Sequence, residues 1–285
     1  MVRQPQRNGF ILLMVLAVLF IAATLLAMGA RKSCAKAIAA GEATQQLQVR
    51  WGSHTCARLA LQNAELILTP REGDSEPTTA AVSQVVLNNI RFDIVLSDEQ
   101  AKPSINTLAS DAQNLSATLG PLLAGVRQVP PIEPRPSIPG GGGAAIKPYE
   151  AFEQVFRIAS PAQLLDMEQP SSGVASRITL WGDGRLNYHS ASAEAMRLLT
   201  RGILNDEQVE MLLRYRTEHP KASMDDATAS LKLEVALRDR LRKVLVDRSN
   251  CYSAWIIAAG PTRRWYQLSI SSASPQGGNM KTVFW

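Results

Sequence analysis

Nineteen consecutive residues close to the N-terminus, Phe10 to Met28 (FILLMVLAVLFIAATLLAM), contain no charge, no Pro and no Gly. With Gly29 and Ala30 the run is long enough, as a helix rising about 1.5 Å per residue, to cross a hydrocarbon core of about 30 Å. The chain is therefore expected to be anchored by this one span, with everything after it folding outside the bilayer. A cleaved secretory signal fits poorly. Its apolar core would be too long, and Met28 would stand where a small residue belongs in a small-x-small cleavage site before Arg31. Cys34 is no lipoprotein site, because Arg31, Lys32 and Ser33 precede it. Two readings remain: a plain uncleaved anchor, or a short basic leader, residues 1–9 (MVRQPQRNG), that ends in Gly9 and gives way to an aromatic residue, Phe10. Arg3 and Arg7 lie before the span and Arg31, Lys32 and Lys36 after it. Loop charge thus leaves the orientation open.

Helical periodicity continues past the span. Cys56, Leu59, Ala60, Asn63, Leu66 and Ile67 recur at three- and four-residue spacing, a stripe expected to face a partner surface. Thr69-Pro70 should stop the helix. A helix from Phe10 to Leu68 would be about 90 Å long, with Gly41 and Gly52 as its weak points. The three cysteines are Cys34, Cys56 and Cys251. Cys34 and Cys56 would be roughly 33 Å apart on one helix, beyond bridging distance. Cys56–Cys251 is the candidate disulfide if the body is periplasmic; otherwise all three are small buried apolar residues.

Beyond a polar loop at 71–83, Gln84 to Leu96 (QVVLNNIRFDIVL) reads as one strand or two short ones. Helix candidates are Leu108–Leu123, Pro148–Arg157, Pro161–Met167, Ala191–Thr200, Asp206–Thr217 and Ala227–Leu245. A Pro/Gly-rich segment at 128–143 interrupts them and reads as a loop or hinge. Tyr252–Ala258, Arg264–Ile270 and Met280–Trp285 return to strand character, separated by Gly260-Pro261 and by Pro275-Gln276-Gly277-Gly278. The expected fold is α+β: a long N-terminal helix on a small antiparallel sheet, with a large helical domain inserted between strands. Its parts would be a leader at 1–9, a transmembrane half-helix at 10–30 and an extramembrane half-helix at 31–69. A sheet body would follow at 70–102 and 249–285, with the insertion at 103–248.

One short pattern occurs twice. Asp98-Glu99-Gln100-Ala101-Lys102-Pro103-Ser104-Ile105-Asn106-Thr107 and Asp183-Gly184-Arg185-Leu186-Asn187-Tyr188-His189-Ser190 each pair an acidic turn with a basic residue, then an apolar/Asn stretch, then a hydroxyl residue expected to open a helix. Asn106 or Thr107, and Ser190, are the candidate caps; Glu194 suits the positive end of the second helix. Taken with Gly9–Phe10 and the closing strand ending in Val283-Phe284-Trp285, these segments resemble the K-type minor pseudopilins of type II secretion systems. The resemblance runs through most of the chain in order and is weakest over 110–175. Ser104, Pro103 and His189 depart from the family pattern.

Several expectations follow from that resemblance. Prepilin peptidase would cut after Gly9 and methylate the new amine of Phe10. Most pilin-like subunits carry Glu at the fifth mature position, where it would pair with a neighbouring subunit's amine. Here Met14 stands there, as in subunits placed first at the filament tip, where no neighbour would satisfy a buried carboxylate. The leader would be cytoplasmic, the chain a single-pass protein of the bacterial inner membrane and the body periplasmic. Partners would be the I- and J-type minor pseudopilins, the major pseudopilin and the inner-membrane assembly platform. No cofactor is required, though calcium is a family expectation, with Asp98, Glu99 and Asp183 as candidate ligands. Ordinary solvated turns are the alternative, and there is no EF-hand spacing. A minor pilin of a type IV pilus and a membrane-anchored binding module are the alternative readings. Catalysis has no motif behind it: His54, His189 and His219 are scattered, and neither a nucleophile elbow nor a phosphate loop is present. Nucleic-acid binding would rest on Arg238, Arg240, Arg242, Lys243 and Arg248, but Glu234 and Asp239 interleave with them, as on a solvated face.

Overall fold

The computed structural model describes residues 8–69, 79–111, 115–134, 148–158, 160–166, 169, 172–260, 263–272 and 279–284. Leader residues 1–7, most of the polar loop at 71–83 and the centre of the Pro/Gly-rich segment lie outside them. Two compact units are present, Met1–Trp51 and Gly52–Trp285. The first is helix throughout its described part, the beginning of α1 (Asn8–Gln62). No acidic side chain appears before Glu42, and the apolar side chains from Phe10 to Met28 are almost all exposed. A window of this helix reaches a mean hydropathy of 3.0 with none of it buried, so it is long and apolar enough to cross a membrane.

The second unit is α+β. From Gly52 the chain completes α1, breaks at Asn63, and adds α2 (Ala64–Leu68). Thr69, extended ahead of Pro70, ends it, as the proline ring demands of the residue before it. Next come β1 (Ala80–Leu87) and β2 (Ile90–Asp98). Two residues with positive φ, Asn88 and Asn89, connect them, the backbone required of a tight hairpin turn. An inserted region follows, with α3 (Ile105–Asp111), α4 (Leu115–Leu122), α5 (Val174–Arg177) and β3 (Leu186–Asn187), then α6 (Ala193–Leu199), α7 (Asp206–Glu218), α8 (Met224–Ser230), α9 (Val235–Val244) and β4 (Leu245–Val246). The chain closes with β5 (Cys251–Ala259), β6 (Arg264–Ser272) and β7 (Asn279–Phe284). The main sheet has the order β1-β2-β5-β6-β7 and is antiparallel throughout.

Register assigns the two faces of the sheet. Directly paired residues share a face, and faces alternate along a strand. Val95, Trp255 and Leu268 form one cross-strand row, and with Cys251, Ile257 and Ile270 they pack under the first part of the insertion, against Ile105, Leu119, Phe156 and Ile178. Phe92, Ile94 and Leu96 point the other way, beside Ala258, Ile256 and Ala254. Gly52 of α1 packs against that second face, because a Cβ there would collide with the Phe92 ring. Helix and insertion thus lie on opposite faces.

Three sequence expectations are corrected here. The packed stripe of the helix consists of Ser53, Cys56, Ala57, Ala60, Leu61, Ala64 and Leu68. Leu59, Asn63, Leu66 and Ile67 are exposed. Cys56 and Ala60 pack as expected, and small residues at Gly52, Ser53, Ala57 and Ala60 let the helix approach the sheet, while Leu59, Leu66 and Ile67 are left outside. Second, the segments 148–157 and 161–167 form 3₁₀ turns, Phe152–Gln154 and Pro161–Gln163, rather than helices. Third, Cys56 and Cys251 are both free thiols. Cys56 sits one turn beyond Gly52 on the helix, while Cys251 points to the insertion. The sheet separates them.

The insertion has two parts. One buries its apolar residues on the sheet. The other builds its own core from Leu186, Tyr188, Met196, Leu212, Ala227 and Leu241, closed by the short parallel pairing of β3 with β4. Between them lies a band of buried polar side chains.

Candidate functional site

The two repeated turns, some eighty residues apart in sequence, meet in that band. Asp98 ends β2 and is 3% exposed. One oxygen accepts from the Gln100 N–H at 2.9 Å. The other accepts from Ser190 Oγ at 2.6 Å, Ser249 Oγ at 2.6 Å and Asn187 Nδ2 at 3.2 Å. Asn187 also donates to Ser249 Oγ at 2.7 Å and accepts from the His189 N–H. A carboxylate at the mouth of one turn therefore gathers the second turn and the segment that leads into β5.

Glu99, 1% exposed, makes a second knot. It pairs with Lys102 Nζ at 2.6 Å and accepts from the hydroxyls of Thr179 and Ser253. Lys102 spends a further N–H on the Ala175 carbonyl at 2.8 Å. An ion pair this deep is held only when its remaining donors and acceptors are met, and here hydroxyls and a carbonyl meet them. Asn106 serves as a clamp, donating to the Tyr149 and Leu180 carbonyls at 3.0 Å each and accepting from the Tyr149 N–H at 2.7 Å. The second turn is fastened by Asp183, which accepts from Gln100 Nε2 at 2.8 Å and from the Arg185 backbone and guanidinium. Burial would raise the Asp183 carboxyl, but the Arg185 and Gln100 bonds outweigh it and hold the group below its ordinary value.

The six motif residues read from sequence fall into three hydrogen-bonded groups: Asp98 with Asn187 and, through Gln100, with Asp183 and Arg185; Lys102 with Glu99; and Asn106 on Tyr149 and Leu180. Their roles differ from those expected. Neither Asn106 nor Thr107 caps α3, which begins at Ile105. Ser190 donates to Asp98, and Ser192 caps α6 by accepting from the Ala195 N–H. Sequence reading missed Gln100 as a bridge, along with Thr179, Ser249, Asn250 and Ser253. Thr179 stands alone among apolar neighbours in RITLW, and Ser249-Asn250 opens β5; both are polar residues in places that otherwise call for apolar ones. Gly184, at φ +81°, lies so close to Thr107 Oγ1 that a Cβ would strike it. A side chain at 184 would need both a left-handed backbone and a shift of the Thr107 hydroxyl.

Asp98, Glu99 and Asp183, the candidate calcium ligands, all make these contacts with protein donors. Protein donors occupy their oxygens, and among the described residues no group of three or more His, Cys, Asp or Glu side chains is placed to hold a metal ion. The nearest thiol, Cys251, is pushed up to about 12, chiefly by burial and then by the Glu99 charge. The arrangement can hold chain segments together. Of the basic residues on α9, Arg242 is committed to Asp225 and Asp239, Arg240 to the Gly202 carbonyl and Arg238 to the Leu233 carbonyl.

The expected leader junction and Met14 lie in the other unit. Asn8, Gly9 and Phe10 are already helical, and Phe10 and Met14 are exposed by 67% and 59%.

No protein-family model matches the chain, and no curated protein does. Among solved structures, a chain of the GspK-GspI-GspJ complex from the type 2 secretion system of enterotoxigenic Escherichia coli is similar. The TM-score is 0.49 and the identity 14%, over 85% of this chain and 97% of that one.

Proposed function

We propose that this chain is a minor pseudopilin of a type II secretion system, a non-catalytic subunit at the tip of the pseudopilus that helps to initiate its assembly. The observation that carries the reading is the character of α1. It is apolar from Phe10 to Met28 with those side chains left unburied, then runs without interruption into a body that it packs through small residues. Such a helix serves first as an anchor in lipid and then as a packing element among other subunits' helices, where van der Waals contact drives association. Gly9–Phe10 marks where a leader would end, and Met14 removes the carboxylate that would need a neighbour's amine. The two-part insertion adds bulk on one face of the sheet, which suits a subunit placed once at an end better than one repeated along a shaft. In this reading the I- and J-type minor pseudopilins, the major pseudopilin and the inner-membrane platform are its partners. Prepilin peptidase is its processing enzyme, and the body lies in the periplasm.

Intact mass and N-terminal sequencing of the protein from membranes, with and without prepilin peptidase, test this. A mature chain beginning at N-methylated Phe10, formed only when that enzyme is present, is the expected result. A chain that keeps Met1, or one cut near Ala30, overturns it in favour of an anchored or exported binding module.

A further inference from the structure

Arg31, Lys32 and Lys36 stand where α1 leaves its apolar run, and all three are exposed. The helix does not neutralise them. The first acidic residue in the chain after them is Glu42, six residues beyond Lys36, and it is not a neighbour of any of the three on the helix surface. Lys32 and Lys36 are four residues apart, a spacing at which like charges repel. At about 100° per residue, the three cations fall within about 140° of arc. Ala35 and Ala39 lie between them, and Ser33, Cys34 and Ala37 take the remaining face. The patch is therefore a one-sided cationic surface with a floor of small side chains.

The depth of this surface follows from the continuity of α1, which runs unbroken from Asn8 to Gln62. Arg31 lies about 32 Å along the axis from Phe10, just past a hydrocarbon core of about 30 Å. Lys36 stands about 8 Å further on, within the headgroup layer. Helical side chains lean toward the N-terminus, here toward the bilayer, so the long lysine stems reach back to the same level. In the anchored orientation proposed above, on which this inference rests, these cations are carried across the membrane against the usual bias of Lys and Arg to the cytoplasmic side. Solubility does not require them, since Thr44, Gln45, Gln46 and Gln48 make the helix polar without charge farther along. At the headgroup level lipid phosphates surround a single helix on every side, whereas a protein partner would have to bring carboxylates to that one narrow layer.

We infer that Arg31, Lys32 and Lys36 form a binding surface for the headgroups of anionic phospholipids in the leaflet opposite the leader. A phosphate seated over Ala35 and Ala39 meets cations on both sides and relieves the repulsion between Lys32 and Lys36. A zwitterionic headgroup offers the same phosphate together with its own ammonium, so lipid with a net negative charge is preferred. The contact fixes the level of the helix in the bilayer and has to be released when the helix is withdrawn from it.

The test uses the full chain in vesicles of phosphatidylcholine and phosphatidylglycerol, with an uncharged fluorophore on Cys34, the exposed thiol; Cys56 and Cys251 are buried. Cys34 sits among the three cations, at the far end of the span from the leader, so the leader's own charges do not contribute. Each lipid in turn carries brominated acyl chains, and quenching per mole fraction reads its enrichment around Cys34. Phosphatidylglycerol should be enriched about five-fold or more, the factor expected of even one such charge at an anionic surface. Arg31→Gln with Lys32→Gln and Lys36→Gln should bring the ratio close to unity. The charge-conserving set Arg31→Lys, Lys32→Arg and Lys36→Arg should keep it. A ratio near unity in the unsubstituted chain, or one that the glutamine set leaves unchanged, overturns the inference. So does loss of the preference in the charge-conserving set, or equal quenching by both lipids in a chain that retains an acidic polypeptide through these cations. Alkaline extraction separates the inference from the anchor reading. A chain that stays in the vesicles without enrichment overturns the inference alone, whereas a chain that washes off overturns both.

Discussion

Glycine carries different weight at two positions of the same helix. At Gly41 nothing lies within 4 Å of where a Cβ would be, so Gly41→Ala should stabilise the helix by up to about 1 kcal/mol through backbone entropy alone. At Gly52 the Cβ would enter the Phe92 ring, which is 1% exposed and hemmed in by the sheet. The same propensity gain is then outweighed by overpacking of about 1–3 kcal/mol. Thermal unfolding should show Gly41→Ala neutral or stabilised and Gly52→Ala destabilised; equal effects would remove the close helix–sheet contact argued from Gly52. The Glu99–Lys102 pair is the other residue-scale test. Glu99→Gln leaves an ammonium whose side chain is 3% exposed without its counter-charge, which should cost about 3–5 kcal/mol. Glu99→Met with Lys102→Met should recover part of that loss, since no charge is left buried, though the hydroxyls of Thr179 and Ser253 lose their acceptor. Urea unfolding that ranks the double variant below the single one would contradict the account.

At the scale of elements, what was legible in the sequence follows the strength of the local signal. The β2, β5 and β6 segments and the Pro70 stop were readable because β-branched runs and proline act through their own backbones. The Asn88-Asn89 turn divided one apparent strand into two for the same reason. The helix stripe was read in part: Cys56 and Ala60 are buried as expected, but Leu59, Leu66 and Ile67 are exposed and the packed face turns instead through Ala57, Leu61, Ala64 and Leu68. The two turns were visible as a repeat, but their meeting depends on partners such as Thr179, Ser249 and Ser253, whose identities carry no periodicity. His189 illustrates a consequence of that convergence. Its ring lies 3.5 Å from Asp247, while Arg216 reaches the carbonyls on either side, of Tyr188 and Ala191. Burial, with Arg216 adding to it and Asp247 opposing, lowers its pKa below the ordinary 6.5. The unfolded chain therefore binds the proton more readily. The neutral ring's contribution to stability is present above about pH 6.5 and is lost as pH falls through and below that value. The denaturation midpoint should fall between pH 7 and 5.5, and His189→Gln should flatten that slope. A slope unchanged by the substitution would assign it to another group.

For the whole molecule, the polar band joins two cores that could otherwise open separately. The first is built on the sheet; the second, around Leu186, Met196, Leu212 and Leu241, meets it at Leu199, which packs against both, and at the turns that Asp98 gathers. Asp98→Ala removes one acceptor shared by Ser190, Ser249 and Asn187, and hydrogen bonds to a charged group contribute about 1.5–3 kcal/mol each before overlap. The network counts as a unit, so the loss should be a few kcal/mol rather than the sum. It should also be local in its effect. The second core keeps its own apolar contacts and its Arg216 clamp, while the sheet keeps its ladders. Amide hydrogen exchange followed by mass spectrometry should then show faster exchange in 183–191 and 245–250, with β5 and β6 still protected. In the unsubstituted chain both regions should be protected together. Uniform acceleration across the body would mean that the two cores unfold only as one and that Asp98 stabilises the whole without joining separable parts. Unchanged exchange would mean that packing alone holds the second core in place. Selective loosening would identify the repeated turns as the latch that keeps the insertion fixed to the sheet.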